Sequence, residues 1–190
     1  SPMTKYAKML TAPEDIEEVM EHALWHAQTG RKGPVWLDIP LDLQSAQMTS
    51  GRAVVAPQGS EARPLPKEED IQKVVAALCS AQRPVVLIGS GVRAARALVQ
   101  LKEFVERWNI PVTYTAAAPD SYGTTHPLSI GSVGAMGCSR AGNFTVQNAD
   151  FVLVLGSRLT SLTTGPDFSK FARAACVTVV DIDRVEHSKK

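Results

Sequence analysis

Residues 83–101, "RPVVLIGSGVRAARALVQL", decide the fold of this chain. They begin with an apolar run, Pro84 to Ile88, in which no polar residue alternates. Such a run is typical of a strand that a parallel sheet buries on both faces. The run enters Gly89-Ser90-Gly91 and then a segment of helical character, so the stretch predicts a strand, a tight turn and a helix. The glycine turn has two interpretations: it holds a nucleotide phosphate at the helix start, or it only turns the chain.

Strands and helices alternate along the rest of residues 67–190. Apolar runs predict further strands in "IPVTYTA" (110–116), "FVLVLGS" (151–157) and "CVTVVDID" (176–183). Helical spacing predicts helices in segments 67–82, 92–108 and 140–149, and one or two helical turns in 167–175. Alternating strands and helices indicate a doubly wound, Rossmann-like α/β domain with a parallel sheet.

A smaller unit precedes this domain. Apolar residues at helical spacing predict a helix from Pro13 to Thr29, and "PVWLDIP" (34–40) predicts a strand. Residues 43–66 are rich in Ser, Gly, Pro and Gln without periodicity, which is typical of a linker between domains. A helix and a strand are too little to fold alone, so we interpret residues 1–42 as part of a domain and residues 67–190 as a nucleotide-binding-like domain.

Composition excludes several classes of protein. The net charge of +1 over 190 residues provides no basic field for nucleic acid. Three widely spaced cysteines without a Cys-x-x-Cys pair argue against a disulfide framework or a zinc site. No apolar run reaches the roughly 18 residues of a membrane span, and no signal peptide is recognisable. We therefore expect a cytoplasmic protein with a small-molecule or protein partner.

The candidate site lies where the predicted strands end. Gly89 to Ala94 fit the G-x-G-x-x-G/A dinucleotide motif, but the strand that follows, ending at residues 113–117, lacks the acidic residue that holds an NAD ribose. Met136 either lines a pocket or fills the core, and the core is the favoured interpretation. His22 and His26 are four apart on a helix, but a solvated or interdomain helix face is favoured over a metal site. We predict neither catalytic residues nor metal ligands. The strand ends offer these candidate groups for a nucleotide: Gly89 and Gly91, the glycine-dense loop 131–137, Gly156, Ser157 and Arg158, and the carboxylates of Asp181 and Asp183.

The order of several motifs resembles a known family. "GPVWLDIPLDLQ", "RPVVLIGSG", "NIPVTYT", "HPLSIGSVGAMG", "NADFVLVLGSRL", "TTGPDFSKFARAA" and "VVDID" together resemble thiamine-diphosphate-dependent enzymes of the acetolactate synthase type. The resemblance implies that residues 1–42 are the end of a pyrimidine-binding domain. It also implies that residues 67–190 are the central domain, with the NAD/FAD-binding fold shared with deoxyhypusine synthase.

What the resemblance implies about chemistry concerns a longer parent enzyme. That enzyme would decarboxylate a 2-oxo acid and transfer the resulting carbanion equivalent, with thiamine diphosphate and Mg²⁺ held outside this chain. Since no Gly-Asp-Gly motif occurs here, we expect this chain to be inactive alone. Its partners would be the remaining domains of the parent, itself a homodimer or homotetramer and a transferase or lyase.

The resemblance implies nucleotide contacts at these residues: Gly89, Gly91, Thr115, Ala116, Gly134, Met136, Gly137, Gly156, Ser157, Arg158, Asp181 and Ile182. It leaves the nucleotide open between FAD, ADP and none. Flavin-binding members carry two acids and a further arginine after the strand, where this chain has Leu159-Thr160-Ser161-Leu162. Their Gly-Met-His-Gly corresponds to Gly134-Ala135-Met136-Gly137 here. The alternative function is a free-standing NAD-type binding or interaction module, of the deoxyhypusine synthase or sirtuin-like kind. The helix and strand of residues 5–43 favour the enzyme fragment, because an independent module has no use for them.

Overall fold

A computed structural model describes residues 3–48, 54, 65–136, 138–183 and 185–188. The chain divides into two compact units, residues 1–64 and 65–190. The first contains strands β1 (Tyr6–Met9) and β2 (Val35–Asp38), helices α1 (Ile16–Gln28) and α2 (Leu41–Gln44), and a short 3-10 helix (Pro13–Asp15). Most of the predicted linker lies outside the described residues, so the proposed domain boundaries stay predictions.

In the first unit, β1 and β2 form a two-stranded parallel sheet in which Tyr6 pairs with Val35. The predicted helix and second strand are present, whereas β1 is a strand that its four residues did not reveal. The Tyr6 ring stacks on His26 at a centroid distance of 5.2 Å, so this half-buried histidine packs against β1. The pKa of Tyr6 is raised by its burial and by the charge of Glu18.

The second unit is the predicted doubly wound α/β domain. Its strands are β3 (Pro84–Ile88), β4 (Val112–Thr115), β5 (Ser129–Val133), β6 (Phe151–Leu155) and β7 (Cys176–Val180). Its helices are α3 (Glu68–Ser80), α4 (Gly91–Ala94), α5 (Leu98–Trp108), α6 (Arg140–Asn148) and α7 (Ser161–Thr164), with 3-10 turns at Phe168–Lys170 and Glu186–Ser188. The strand order is β5-β4-β3-β6-β7, and every pair is parallel.

Two apolar layers cover the two faces of this sheet. On β3, Val86 and Ile88 face one layer with residues of α3 and α5, and Val85 and Leu87 face the other with Val146 of α6. These four strand residues are at most 3% exposed. The unbroken apolar run of β3 is therefore explained by burial on both faces.

The helix predicted after Gly91 is in fact two helices. α4 ends at Ala94, Arg96 adopts a φ of 57°, and α5 begins at Leu98. In one continuous helix Val92 and Leu101 would point to about opposite sides. Both side chains lie in the same apolar layer, because the break between α4 and α5 reorients the chain. Burial of both residues thus overrides the helical propensity of the alanine-rich segment.

Strand β5 was also not predicted. Residues 129–133, "SIGSV", contain a glycine and two serines, and residues 131–133 fall within the glycine-dense loop predicted at 131–137. Gly131, at a φ of 134°, lies so close to Ser139 that a side chain would collide with its Oγ. The strand forms because β4 pairs with it and α6 packs on it, which its own composition does not reveal.

Asp150 links the N-terminal ends of the neighbouring strands β3 and β6. Its carboxylate accepts hydrogen bonds from the backbone N–H groups of Gln82 and Arg83, both at 2.8 Å. Arg83 in turn donates from Nε to the Asn148 carbonyl at 2.8 Å. Burial acts to raise the pKa of Asp150, but the amides of Arg83 and Gln82 and the Arg83 charge lower it below its ordinary value of 3.8.

We expect Asp150→Asn to lower the melting temperature at pH 7 by roughly 2–4 °C. A carboxyl whose pKa is lowered by folding stabilises the protein above the unfolded pKa, and that contribution disappears as the pH falls through the folded pKa. The difference from the unsubstituted chain should therefore shrink below about pH 4. Thermal unfolding between pH 3 and 8 measures it, with Asp70→Asn, which removes an exposed ion pair to Lys73, as the control. An equal difference at all pH values would contradict the role assigned to the Asp150 charge.

Candidate functional site: the carboxyl edge of the sheet

Parallel pairing brings the ends of all five strands of the second unit to one edge. The turns that carry the predicted site residues follow β3, β4, β5, β6 and β7, and thus lie along this carboxyl edge. From β3 the chain winds to β4 and β5 on one side, and β6 and β7 lie on the other. The boundary between β3 and β6 is therefore a topological switch point, where doubly wound sheets bind ligands. Gly137 lies outside the described residues.

The glycine turn after β3 packs directly on the turn after β6. The N–H of Gly89 donates to the Leu155 carbonyl and that of Gly91 to the Gly156 carbonyl, both at 2.9 Å. A Cβ on Gly91 would lie 2.6 Å from the Gly156 Cα, and one on Gly89 would collide with the Gly156 carbonyl oxygen. The close approach of two backbones therefore explains these glycines without any ligand.

Two of the predicted contact residues are buried at the carboxyl edge of the sheet. Thr115 and Ser157 are 8% and 6% exposed. The Ser157 Oγ accepts a hydrogen bond from the Leu159 N–H at 3.3 Å, and the Thr115 carbonyl accepts one from Ala118 at 2.9 Å. The Ser157 side chain and the Thr115 backbone carbonyl thus shape the turns, whereas Ala116 and Arg158 are exposed to solvent.

The turn after β5 is held by an asparagine that the sequence did not indicate. The Asn143 side chain on α6 accepts from the Gly134 N–H at 3.0 Å and donates to the Gly134 carbonyl at 2.9 Å. Ala135 donates to the Leu162 carbonyl at 2.7 Å, which ties this turn to α7. Met136 is 75% exposed, so its interpretation as a core residue was wrong. The fixed turn holds the methionine outward, because Gly134 and Ala135 are bound from both sides.

Beyond β7, one oxygen of Asp181 is already engaged. Its Oδ1 accepts a hydrogen bond from the Asp183 N–H at 2.9 Å, and the neighbouring Ile182 is 40% exposed. The carboxylate thus shapes the turn with one oxygen and leaves the other for a ligand hydroxyl.

An ion pair at this edge was missed by the sequence reasoning. The Arg93 guanidinium on α4 binds the Asp120 carboxylate in the segment after β4, and the two side chains are 50% and 63% exposed. Its hydrogen bond from Arg93 is the main reason that the pKa of Asp120 lies below the ordinary value. Arg93 belongs to the quoted motif and could have been noticed there, but its pairing across 27 positions could not.

The carboxyl edge combines cationic, apolar and acidic side chains. Among the residues that the structure describes, no three His, Cys, Asp or Glu side chains are placed to hold a metal ion. Cys79, Cys138 and Cys176 are free thiols. The turns of this edge carry the Arg158 guanidinium, the apolar side chains of Met136 and Ile182, and the Asp181 carboxylate. Such groups suit a ligand with both anionic and flat apolar parts.

Most of this chain matches a known protein family. Residues 71–190 match the family described as thiamine pyrophosphate enzyme, central domain. The chain belongs to this family. The matched residues include all five strands of the second unit, which is thus a thiamine pyrophosphate enzyme central domain. They also include the carboxyl edge of its sheet.

Relatives of this central-domain chain extend the likeness to the first unit. The chain is 37% identical over 188 residues to the acetolactate synthase isozyme 1 large subunit of Escherichia coli K12, covering 99% of the chain and 33% of that protein. It is 33% identical over 195 residues to a probable acetolactate synthase large subunit of Methanocaldococcus jannaschii, covering 99% and 32%. The chain therefore spans about a third of the length of these relatives.

A solved structure confirms the fold. Benzoylformate decarboxylase from Polynucleobacter necessarius superimposes with a TM-score of 0.75 at 21% identity, over 100% of this chain and 35% of that one. The resemblance and the fold class expected from the sequence are thus confirmed, and nothing in the comparisons favours a free-standing NAD-type module. No helix within the described ranges is long and apolar enough to cross a membrane.

Proposed function

We propose that this chain is the central part of a thiamine-diphosphate-dependent enzyme that decarboxylates a 2-oxo acid and joins the product to a second carbonyl compound. The observation that carries the proposal is the identity to acetolactate synthase large subunits over 99% of the chain, in both compact units. Thiamine diphosphate, when bound to the whole enzyme, supplies the electron sink for this chemistry. Among the described residues, no three His, Cys, Asp or Glu side chains are grouped as metal ligands, and we propose that the Mg²⁺ accompanying the diphosphate is held by other parts of the parent enzyme.

The first unit fits the end of a larger domain. A two-stranded parallel sheet is too small to bury both of its faces. Trp36 on β2 is 65% exposed and Met9 on β1 is 51% exposed. These open apolar side chains support the proposal that residues 1–42 complete a pyrimidine-binding domain in the parent enzyme. We further propose a cytoplasmic parent that assembles as a homodimer or homotetramer.

The second unit would hold FAD or ADP at its carboxyl edge in a structural role. Arg158 would bind a phosphate, the free oxygen of Asp181 would accept from a ribose hydroxyl, and Met136 and Ile182 would contact the flat ring. The exposure of these side chains supports this, since each is accessible along one edge. The Gly89 and Gly91 amides fit a phosphate poorly, because strand-end carbonyls already accept from them.

The test is an assay of the complete protein that contains this chain, with pyruvate, thiamine diphosphate and Mg²⁺. Acetolactate should form, and none should form without thiamine diphosphate or with the 190-residue chain alone. Benzoylformate provides the comparison substrate. Turnover of benzoylformate without acetolactate formation would replace the proposed carboligation with simple decarboxylation, and activity of neither kind would overturn the proposal.

A further inference from the structure

Two arginines stand in equivalent positions on either side of the switch point. Gly91 and Gly156 are in direct backbone contact, and Arg93 and Arg158 each follow one of them by two residues. Arg93 lies on α4 after β3, and Arg158 lies in the turn after the neighbouring strand β6. Both guanidinium groups belong to exposed residues, so a solvent-borne ligand can reach each of them.

Three backbone N–H groups at the switch point already have hydrogen-bond acceptors, so they are less available to an anion. The N–H groups of Gly89, Gly91 and Val92 donate to the carbonyls of Leu155, Gly156 and Gly89. Dinucleotide-binding turns use such N–H groups to hold a diphosphate. Because these three N–H groups are engaged here, side chains would have to meet a larger share of the charge of a diphosphate.

Arg93 can be released for this role at small cost. Its partner Asp120 is exposed, and ion pairs between exposed side chains contribute little to stability. A phosphate offers the guanidinium a bidentate contact with more negative charge than a carboxylate. Asp120 is ionised at neutral pH, as an ordinary aspartate is, so its carboxylate competes with an incoming anion for the same guanidinium.

We propose that Arg93 is a phosphate-binding residue that acts together with Arg158 at the switch point, and that Asp120 occupies Arg93 while no nucleotide is bound. The inference rests on the nucleotide site of the proposed function. It adds a residue to that site and names the diphosphate as the recognised group. It also makes Asp120 a residue that tunes affinity.

The experiment is calorimetric titration of the 190-residue chain with ADP, inorganic pyrophosphate and adenosine at pH 7. Arg93→Ala and Arg158→Ala should each weaken ADP and pyrophosphate binding at least about tenfold. Asp120→Asn should tighten both by a few-fold, because the competing carboxylate is gone. The control is Arg107→Ala, an exposed arginine in the last turn of α5, at the opposite edge of the sheet, which should change nothing.

Each outcome decides the inference separately from the proposed function. ADP binding that Arg93→Ala leaves intact overturns the role of Arg93, and equal losses with Arg107→Ala show only a general charge effect and overturn it as well. If the chain binds neither ADP nor pyrophosphate, the inference fails, whereas the acetolactate assay of the complete protein still decides the proposed function. Circular dichroism of each variant verifies that the fold is retained.

Discussion

Replacing Gly91 with alanine is expected to lower the free energy of unfolding by about 3 kcal/mol, through overpacking. The added Cβ would lie 2.6 Å from the Gly156 Cα and 2.7 Å from the Gly156 carbonyl oxygen. Both are backbone atoms of the turn that follows β6 and packs on the turn after β3. Neither atom can therefore move aside without disturbing β3 or β6. Urea unfolding followed by far-UV circular dichroism measures the change.

The sign of this effect separates the two interpretations of the glycine turn. If Gly91 served only to admit a ligand, alanine in the first turn of α4 would stabilise the helix by about 1 kcal/mol. Ser90→Ala is the matched control, because Ser90 lies in the same turn but is exposed, and it should change stability by less than about 0.5 kcal/mol. A Gly91→Ala variant as stable as the control would refute the backbone-contact explanation.

Truncation of Phe151 should have the largest effect of any single core substitution, about 4 kcal/mol for Phe151→Ala. Phe151 opens β6, is 1% exposed, and is the largest fully buried side chain among the described residues. It belongs to the layer that also contains Leu78 of α3 and Leu101 and Val105 of α5. Its removal leaves a cavity where these helices meet the sheet, and thermal or urea unfolding reports the loss.

The chain supplies its own control for this prediction. Phe144 on α6 is 68% exposed, so Phe144→Ala makes the same chemical change without opening a core cavity. It should alter stability by less than about 0.5 kcal/mol. Similar losses of stability for both substitutions would contradict the assignment of Phe144 as an exposed side chain and of Phe151 as the buried one.

Much of the second unit could be predicted from local pattern. The strands β3, β4 and β6 are buried on both faces, and this burial explains why their residues are mostly apolar. The edge strand β7 was also predicted from an apolar run, although its residues are only partly buried. The α3 and α6 helices follow from their periodicity. Strand β5 was missed because its polar, glycine-containing residues acquire strand structure only by pairing with β4.

The site was predicted as a place but only partly as a set of contacts. The carboxyl edge follows from parallel topology alone, so the turns at Gly89, Thr115, Gly156 and Asp181 could be assigned to it. The exposure of Met136 could not be predicted, because it depends on the grip of Asn143 on Gly134. Neither could the two hydrogen bonds that engage the Gly89 and Gly91 amides.

The sequence by itself determined the fold class, the family and the edge at which a ligand would bind, because apolar periodicity and motif order are properties of the chain read in one dimension. Only the tertiary structure decided that the glycine turn after β3 packs on the turn after β6, 65 residues along the chain from Gly91 to Gly156. Only it showed the break between α4 and α5 and the pairing of Arg93 with Asp120. The contact of Gly91 with Gly156 and the pairing of Arg93 with Asp120 join residues far apart in sequence, and such pairings leave no local pattern.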